Sequence, residues 1–275
     1  MKQKKITSWK GFKLYAPDVA FENEGFDPRS FELLYAKEGK NFWFRARNDI
    51  IEWFLKRYTA RTGDYFEIGC GTGFVLEMVR RSIPGLHCSA SDIHVEGLIR
   101  AQDRNPDAIL FQLDARRIPF RERFDTIGMY DVLEHIEEDL NVLKEVCKAL
   151  KPGGSLLLTV PQHMFLWGPA DVFAYHKRRY TRKELVHKIE QAGFQVQRVS
   201  SFVTFLLPLM FLSRFTNRKR YDPEAEFRLP ALVNQLFYLM MRFERALIIM
   251  GLSLPAGGSL ILLAQKKQEF NPPSP

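Results

Sequence analysis

The stretch "FEIGCGTGF", residues 66–74, decides the fold. A short apolar run ends at Ile68, glycines follow at Gly69, Gly71 and Gly73, and a helical pattern begins at Phe74. Glycines at a strand-to-helix turn let the backbone turn tightly and approach a ligand closely. The dinucleotide fingerprint G-x-G-x-x-G fails here, because Phe74 stands where its third glycine would be. The loop also lacks the G-K-[ST] ending of a nucleoside-triphosphate P-loop. Its spacing is acidic-x-G-x-G-x-G, with Glu67 in the leading place.

Outward from this loop, short apolar runs alternate with helical stretches. "FVLEMVRRSI" is followed by "LHCSASD", then "HVEGLIRAQ", "AILFQLD", "FDTIGMYD", "DLNVLKEVCKAL" and "GSLLLTV". Strands alternating with helices of ten to fifteen residues predict a parallel, doubly wound sheet. Thr181 and Glu184 form a capping box that opens a further helix, and "FQVQRVSSF" reads as the strand after it. Residues 204–255 break the rhythm with "FLLPLMFLSRF" and the long helical pattern "ALVNQLFYLMMRFERALIIM", before a last strand "SLILLAQ". The expected organisation is an N-terminal helical extension over the cofactor cleft (1–60), an α/β domain (61–203 and 256–268), a helical insertion (204–255) and a tail (269–275).

Acidic residues recur where strands end. Asp92 lies nineteen residues past Gly73, where a carboxylate can take both ribose hydroxyls. Asp114 closes "FQLD" and is placed to accept from an adenine amino group. Singly, each acid reads equally well as a helix cap; together they point to one ligand lying across the carboxyl ends of the strands.

This set, "FEIGCGTG", Asp92, "LDA" (113–115), "FDTIGMYDVLEH" (124–135) and "LKPGGSLLLTVP" (150–161), resembles the class I S-adenosylmethionine-dependent methyltransferases. The resemblance covers roughly residues 60–200 and the last strand. It implies a Rossmann-like seven-stranded sheet of order 3-2-1-4-5-7-6, with strand seven antiparallel and supplied by "SLILLAQ". It also implies S-adenosyl-L-methionine held by Glu67, Gly69, Cys70, Gly71, Gly73, Asp92, Ile93, Asp114, Ala115 and Tyr130. The strand end "MYDVLE" lacks the Asp/Asn-Pro-Pro-aromatic turn of enzymes that methylate exocyclic base amines, and no Pro-Cys follows it. Nucleic acid is therefore disfavoured as a partner, despite a formal charge of +8 and a pI near 9.4.

That charge fits an anionic substrate, a membrane surface or simply a basic exterior. Part of it is local: Lys2, Lys4, Lys5, Lys10 and Lys13 near the start, and Arg214, Arg218, Lys219 and Arg220 in the insertion. Cys70, Cys88 and Cys147 show no CxxC spacing, which suits a cytoplasmic protein without a disulfide scaffold. The uncharged run 246–264 contains Pro255, Gly257 and Gly258, so it reads as helix end, turn and strand rather than a transmembrane span. The insertion reads as a cap over the substrate cleft, an oligomer interface or a peripheral membrane contact, and a lipid-linked acceptor would suit it.

For the acceptor side, "PQHMFLWGPADVFAYHKRRYT" (161–181) resembles a segment of small-molecule methyltransferases carrying Trp, Asp and then His-x-Arg-Arg-Tyr-Thr. It offers Trp167, Asp171, Tyr175, Arg178, Arg179 and Tyr180 as substrate contacts and His176 as a base. A buried lid turn, with the arginines pairing carboxylates, explains the same residues. Asp131, Glu134 and His135 resemble the metal site of quinone-pathway O-methyltransferases, although Glu-His at this place is common without metal; His135 is equally a metal-free base or substrate contact. Lastly, Arg47 falls on the apolar side of the helix "NFWFRARNDIIEWFLKRY" (41–58), where a guanidinium needs an anion. The methionine carboxylate of the cofactor and Glu67 are the two candidates.

The expected function is methyl transfer to a small molecule, acidic or lipid-linked, with O-methylation first. N-methylation of an amine or amino sugar, and a non-catalytic scaffold binding a partner or membrane, are the alternatives.

Overall fold

The computed structural model describes residues 7–21, 27, 30–216 and 228–267, and the side chains of 214–216 are not among those described. Lys2, Lys4, Lys5, Arg218, Lys219, Arg220, the Arg214 side chain and the tail 269–275 thus lie outside the described residues. Among the described residues nine strands form one sheet: β1 (Thr7–Trp9), β2 (Phe12–Leu14), β3 (Gly63–Ile68), β4 (Leu86–Asp92), β5 (Ile109–Gln112), β6 (Phe124–Tyr130), β7 (Leu150–Pro161), β8 (Phe194–Phe202) and β9 (Ser259–Lys266). Their order is β1-β2-β5-β4-β3-β6-β7-β9-β8. From β5 to β8 this is the anticipated seven-strand order. β9, the strand after the insertion, runs antiparallel to both β7 and β8.

Two expectations need correcting. The sheet has nine strands among the described residues rather than seven, and the described part of the N-terminal extension includes a hairpin ahead of its helices. β2 adds itself parallel to β5, and β1 pairs antiparallel outside it. Lys10 and Gly11 make the two-residue turn, with φ of 47° and 88°. Positive φ at both residues is the twist-matched type I′ geometry, which Gly11 adopts at no steric cost. Strands of three residues carry too little alternation to be read from sequence.

Helices cover both faces. On one side lie α1 (Ser30–Lys37), α2 (Phe42–Tyr58), α3 (Phe74–Ser82) and α4 (Val95–Arg104); on the other, α5 (Asp139–Ala149) and α7 (Arg182–Gln191), with the short α6 (Pro169–Phe173) preceding α7. The central strands are apolar on both faces, as "SLLLTV" in β7 and "SLILLA" in β9 require when helices bury them twice. α2 starts at Asn41, whose side chain accepts from the Trp43 amide at 2.9 Å, and it seats Ile51, Phe54 and Leu55 fully in the core. Each such side chain stabilises the fold by roughly 1.5–3 kcal/mol.

The insertion supplies α8 (Leu207–Thr216) and α9 (Ala231–Ile249). α9 lies along α2. Asn234 bonds the Phe42 amide and the Lys40 carbonyl, and Tyr238 donates to Asp49 at 2.8 Å while Arg45 stacks 3.9 Å over its ring. Buried Glu244 accepts from the amides of Thr204 (2.7 Å) and Phe205 (3.2 Å), the free N–H groups just ahead of α8. No helix among the described residues is long and apolar enough to cross a membrane. The run 246–264 divides as anticipated, with α9 ending at Ile249 and β9 starting at Ser259.

Candidate active site

A cavity of about 790 Å³ opens at the carboxyl ends of β3, β4, β5 and β6. Its floor is the glycine loop. Gly69, Gly71 and Gly73 have φ of 71°, 51° and 74°. A Cβ on Gly69 would come within 2.4 Å of the Val132 side chain, and one on Gly73 within 3.0 Å of the Ala101 backbone. At Gly71 the nearest atom is 3.8 Å away, so this glycine leaves open space above it in the cleft. The loop is tied to β4 by the Gly69 and Cys70 amides, both donating to the Ser91 carbonyl (2.8 and 2.9 Å). Asp92 then accepts from the Gly71 amide (2.8 Å) and the His94 amide (2.9 Å), and its carboxylate lines the cleft.

Beneath the loop, Tyr65 donates to Glu67 at 3.2 Å and lies 3.3 Å from the Tyr130 hydroxyl. Burial pushes the Glu67 carboxyl up to about 8, against the pull of Tyr65 and Arg47. Glu67 is therefore a buried neutral acid near pH 7.

Asp114 lines the cleft but is fully engaged. Its oxygens take Arg116 Nε (3.0 and 3.2 Å), Arg117 Nη2 (3.2 Å) and the Arg116 amide (2.9 Å). Burial raises its pKa, yet the hydrogen bonds from Arg116 prevail and hold the carboxyl below its ordinary value. The adenine-binding role expected for it thus has guanidinium competitors that the sequence placed next door, in "DARR".

Arg47 is buried against Trp43, 4.8 Å from its ring, and the protein carboxylate it meets is Asp131 rather than Glu67: Nη1 bonds Asp131. Asp131 is thereby paired with Arg47 and lies outside the group of possible metal-ligand side chains, Glu134, His135 and His176. Asp131 is no part of a helical turn, since its φ is 56° and only a short 3-10 turn, Leu133–His135, follows.

The lid carries the rest. His176 Nδ1 lies 2.9 Å from Asp171, which also accepts from Arg179 (Nε 2.8 Å, Nη2 3.1 Å) and from the Gly168 amide at 2.8 Å. Burial raises the Asp171 pKa, but His176 and Arg179 outweigh it and hold the carboxyl low, hence ionised. An ionised carboxylate only accepts, so Nδ1 carries a proton, and in the neutral ring the lone pair is then on Nε2. Nε2 lies 3.9 Å from Glu134, too far for a hydrogen bond, and the His176 ring packs edge-on to His135. Glu134 is sealed from solvent with neither oxygen hydrogen-bonded, and burial pushes its carboxyl well up. Donor atoms of Glu134, His135 and His176 all fall within 4.8 Å of one another.

The predicted site residues therefore divide. Gly69, Gly71, Glu67, Cys70, Asp92, Ile93, Asp114, Ala115, Tyr130, Arg47, His135, Tyr175 and His176 all line the cavity, whereas Gly73 is not part of its lining. Trp167, Arg178, Arg179 and Tyr180 do not. Arg179 is engaged by Asp171, Arg178 by Asp139 at 2.8 Å, and fully buried Tyr180 donates to Asp139 at 2.9 Å. Both arginines are thus paired with carboxylates of the protein itself, Arg179 buried and Arg178 half-buried. The insertion, expected as a cap, contributes none of its described residues to the lining. The wall comes instead from α1, which the sequence reading passed over: Phe31, Leu34 and Glu38 line the cleft. Glu38 accepts from Thr72 (2.5 Å) and Arg104 (2.7 Å), locking the end of α1 to the glycine loop. No periodic signal in eight residues could have announced this.

Residues 35–199 match the family described as "Methyltransferase domain", well over half of the chain. The chain belongs to that family. The domain is an S-adenosylmethionine-dependent methyltransferase domain, and its cofactor is S-adenosyl-L-methionine. A "Probable S-adenosylmethionine-dependent methyltransferase" of Mycolicibacterium smegmatis is 26% identical over 165 residues, 58% of this chain and 61% of that relative. A mitochondrial ubiquinone biosynthesis O-methyltransferase of Candida albicans is 34% identical over 107 residues, 36% of this chain and 33% of the relative. The chain thus spans less than two thirds of the length of these curated relatives. Among solved structures, the [4+2]-cyclase SpnF superposes with a TM-score of 0.56 at 18% identity, over 82% of this chain and 84% of that one. The methyltransferase fold therefore also carries an enzyme named for a cyclisation, and the residues of the site must argue the chemistry.

The donor set fits the cofactor. An open glycine cradle, a cleft-facing carboxylate at Asp92 and a cavity near the top of the roughly 300–1,000 Å³ usual for small ligands suit a nucleoside with an amino-acid tail.

Proposed function

We propose that the protein transfers the methyl group of S-adenosylmethionine to an oxygen of a small acceptor, with His176 as the base. The observation that carries this reading is the Asp171–His176 pair, which sets the imidazole tautomer and lines the cleft with its ring. S-adenosylmethionine, when bound, supplies a methyl group activated on a sulfonium. Asp92 and the glycine loop hold the ribose end, and Asp131 keeps Arg47 at the wall beside them. His176 Nε2 accepts the acceptor's hydroxyl proton as the oxygen attacks, and Asp171 stabilises the imidazolium that results. Arg179 acts through Asp171 as a positioning residue. The partial identity to an O-methyltransferase supports oxygen over nitrogen. The retained Asp92 and glycine cradle support an enzyme over a scaffold, which would have no use for them.

The test uses isotopically labelled S-adenosylmethionine and a small-molecule extract, with the labelled product located by NMR. Transfer to oxygen is expected. His176→Gln should lower kcat by about 10²–10⁴-fold while S-adenosylhomocysteine binding stays unchanged by calorimetry. Unaltered turnover in this variant would remove the base, and label on nitrogen would replace the O-methylation reading.

A further inference from the structure

The insertion leaves an apolar face that nothing in the fold covers. Eleven of the seventeen exposed large apolar side chains among the described residues fall between 205 and 252, so the exposure is concentrated rather than scattered. On α9, Leu232, Leu236, Leu239, Phe243, Ala246 and Met250 recur at steps of three and four, which puts them on one side of the helix. The five large side chains among them are 48% to 85% exposed. The opposite side of α9, with Tyr238, Met241 and Ile248, is the one that packs on the domain. A helix apolar on both sides is expected to be buried, and this one is buried on one side only.

Ring contacts extend the face. Phe243 meets Phe205 at 5.8 Å, just ahead of α8, where Leu209, Phe211 and Leu212 are also exposed. Phe211 in turn meets Phe165 of the lid at 6.0 Å. The apolar surface thus runs from α9 across α8 to the segment that carries His176.

Charge selects the occupant. The charged side chains described in the insertion are Arg228, Arg242, Arg245 and Glu244. Glu244 is buried beneath α8, Arg228 and Arg242 are exposed, and Arg245 reaches Asp49 at 3.7 Å. A second copy docked on this face would offer Arg242 no carboxylate among the described side chains of the stripe. A bilayer rich in anionic lipid would take the apolar stripe into its headgroup boundary and set phosphates against Arg242 at its edge.

We propose that the α8–α9 face docks the protein onto an anionic lipid surface, with the lid turned toward that surface. This is independent of the acceptor's identity and of the base assignment. The test is flotation of the full chain with vesicles of phosphatidylglycerol and phosphatidylcholine, against vesicles of phosphatidylcholine alone. Binding to the anionic vesicles that weakens at high salt is expected. Leu236→Glu with Phe243→Glu should cut the bound fraction roughly tenfold or more, with the melting temperature and S-adenosylhomocysteine binding retained. Arg242→Glu should weaken binding to anionic vesicles alone. A wild-type protein that stays with the soluble fraction overturns the proposal, and so does equal binding to both vesicle types. A dimer seen by light scattering, dissolved by the same double substitution in a chain that ignores vesicles, would assign the face to a second copy instead.

Discussion

On the floor of the cleft Asp92 holds two backbone amides and still faces the cavity, whereas in the lid Asp171 accepts four hydrogen bonds and is shut inside. Both are buried carboxylates beside a histidine, and both were candidates on sequence. The difference lies in what surrounds them. Around Asp92 the backbone supplies the partners, which hold the group without covering it. Around Asp171 side chains do so, and Arg179 closes over it. A charged residue in a cleft-forming segment is therefore a ligand contact only when its own chain neighbours leave one side open. Burying an ionic group costs more than it returns unless its partners are in place, so the lid's charges are used up in ordering the lid.

The largest effect should come from the floor. Asp92→Ala removes a charged acceptor of two amides and of the ribose. At roughly 1.5–3 kcal/mol per charge-assisted hydrogen bond, S-adenosylhomocysteine affinity should fall by about 100-fold or more in calorimetry. A fall below tenfold, in a chain whose melting curve is unchanged, would show that the floor does not bind through this carboxylate. The lid should respond in stability before affinity. Arg179→Met leaves Asp171 charged and half-paired, a loss of about 3–5 kcal/mol by denaturant titration, with S-adenosylhomocysteine affinity within about twofold of wild type. If affinity fell as well, floor and lid would be one unit and the comparison would break.

The same contrast explains what the sequence could disclose. The floor was legible because strand ends and glycines sit at fixed spacings, and β4, β5 and β6 deliver Asp92, Asp114 and Tyr130 wherever a doubly wound sheet forms. Partners were not legible. Arg47 was seen to need an anion, but Asp131 is 84 residues away, and its left-handed backbone turns it toward α2 in a way no periodicity announces. Arg178, Arg179 and Tyr180 looked like substrate contacts because residue type was visible and Asp139 and Asp171 as their acceptors were not. The β1–β2 hairpin and the Glu38 lock were missed because three- and eight-residue elements carry too short a pattern. In the insertion the helical period was plain, yet its direction of packing, onto α2 rather than over the cleft, rests on tertiary bonds from Asn234 and Tyr238.

The effect that is smallest per pH unit separates floor from lid by sign. Burial holds the Glu67 carboxyl at about 8 in the folded chain, above its ordinary 4.5. The folded state therefore binds more protons than the unfolded state between those values, and the stability contributed is complete below 4.5 and lost as pH rises through 8. Asp139 and Asp171, held low by their cationic partners, act oppositely: their contribution is present at neutral pH and lost on acidification. Other buried acids of the raised kind, Glu38, Asp92, Glu134 and Glu244, share the wild-type trend, so the informative quantity is the difference between wild type and Glu67→Gln. Glutamine mimics the protonated acid at every pH, so the variant should lose less stability on going from pH 5 to pH 8. One proton's difference is worth at most about 1.4 kcal/mol per pH unit, and each kcal/mol moves the melting temperature of a domain this large by about 2–4 °C. Calorimetric scans should thus show the gap shifting in the variant's favour by a few degrees per pH unit. A gap that stays constant would mean that Glu67 is already ionised in the fold.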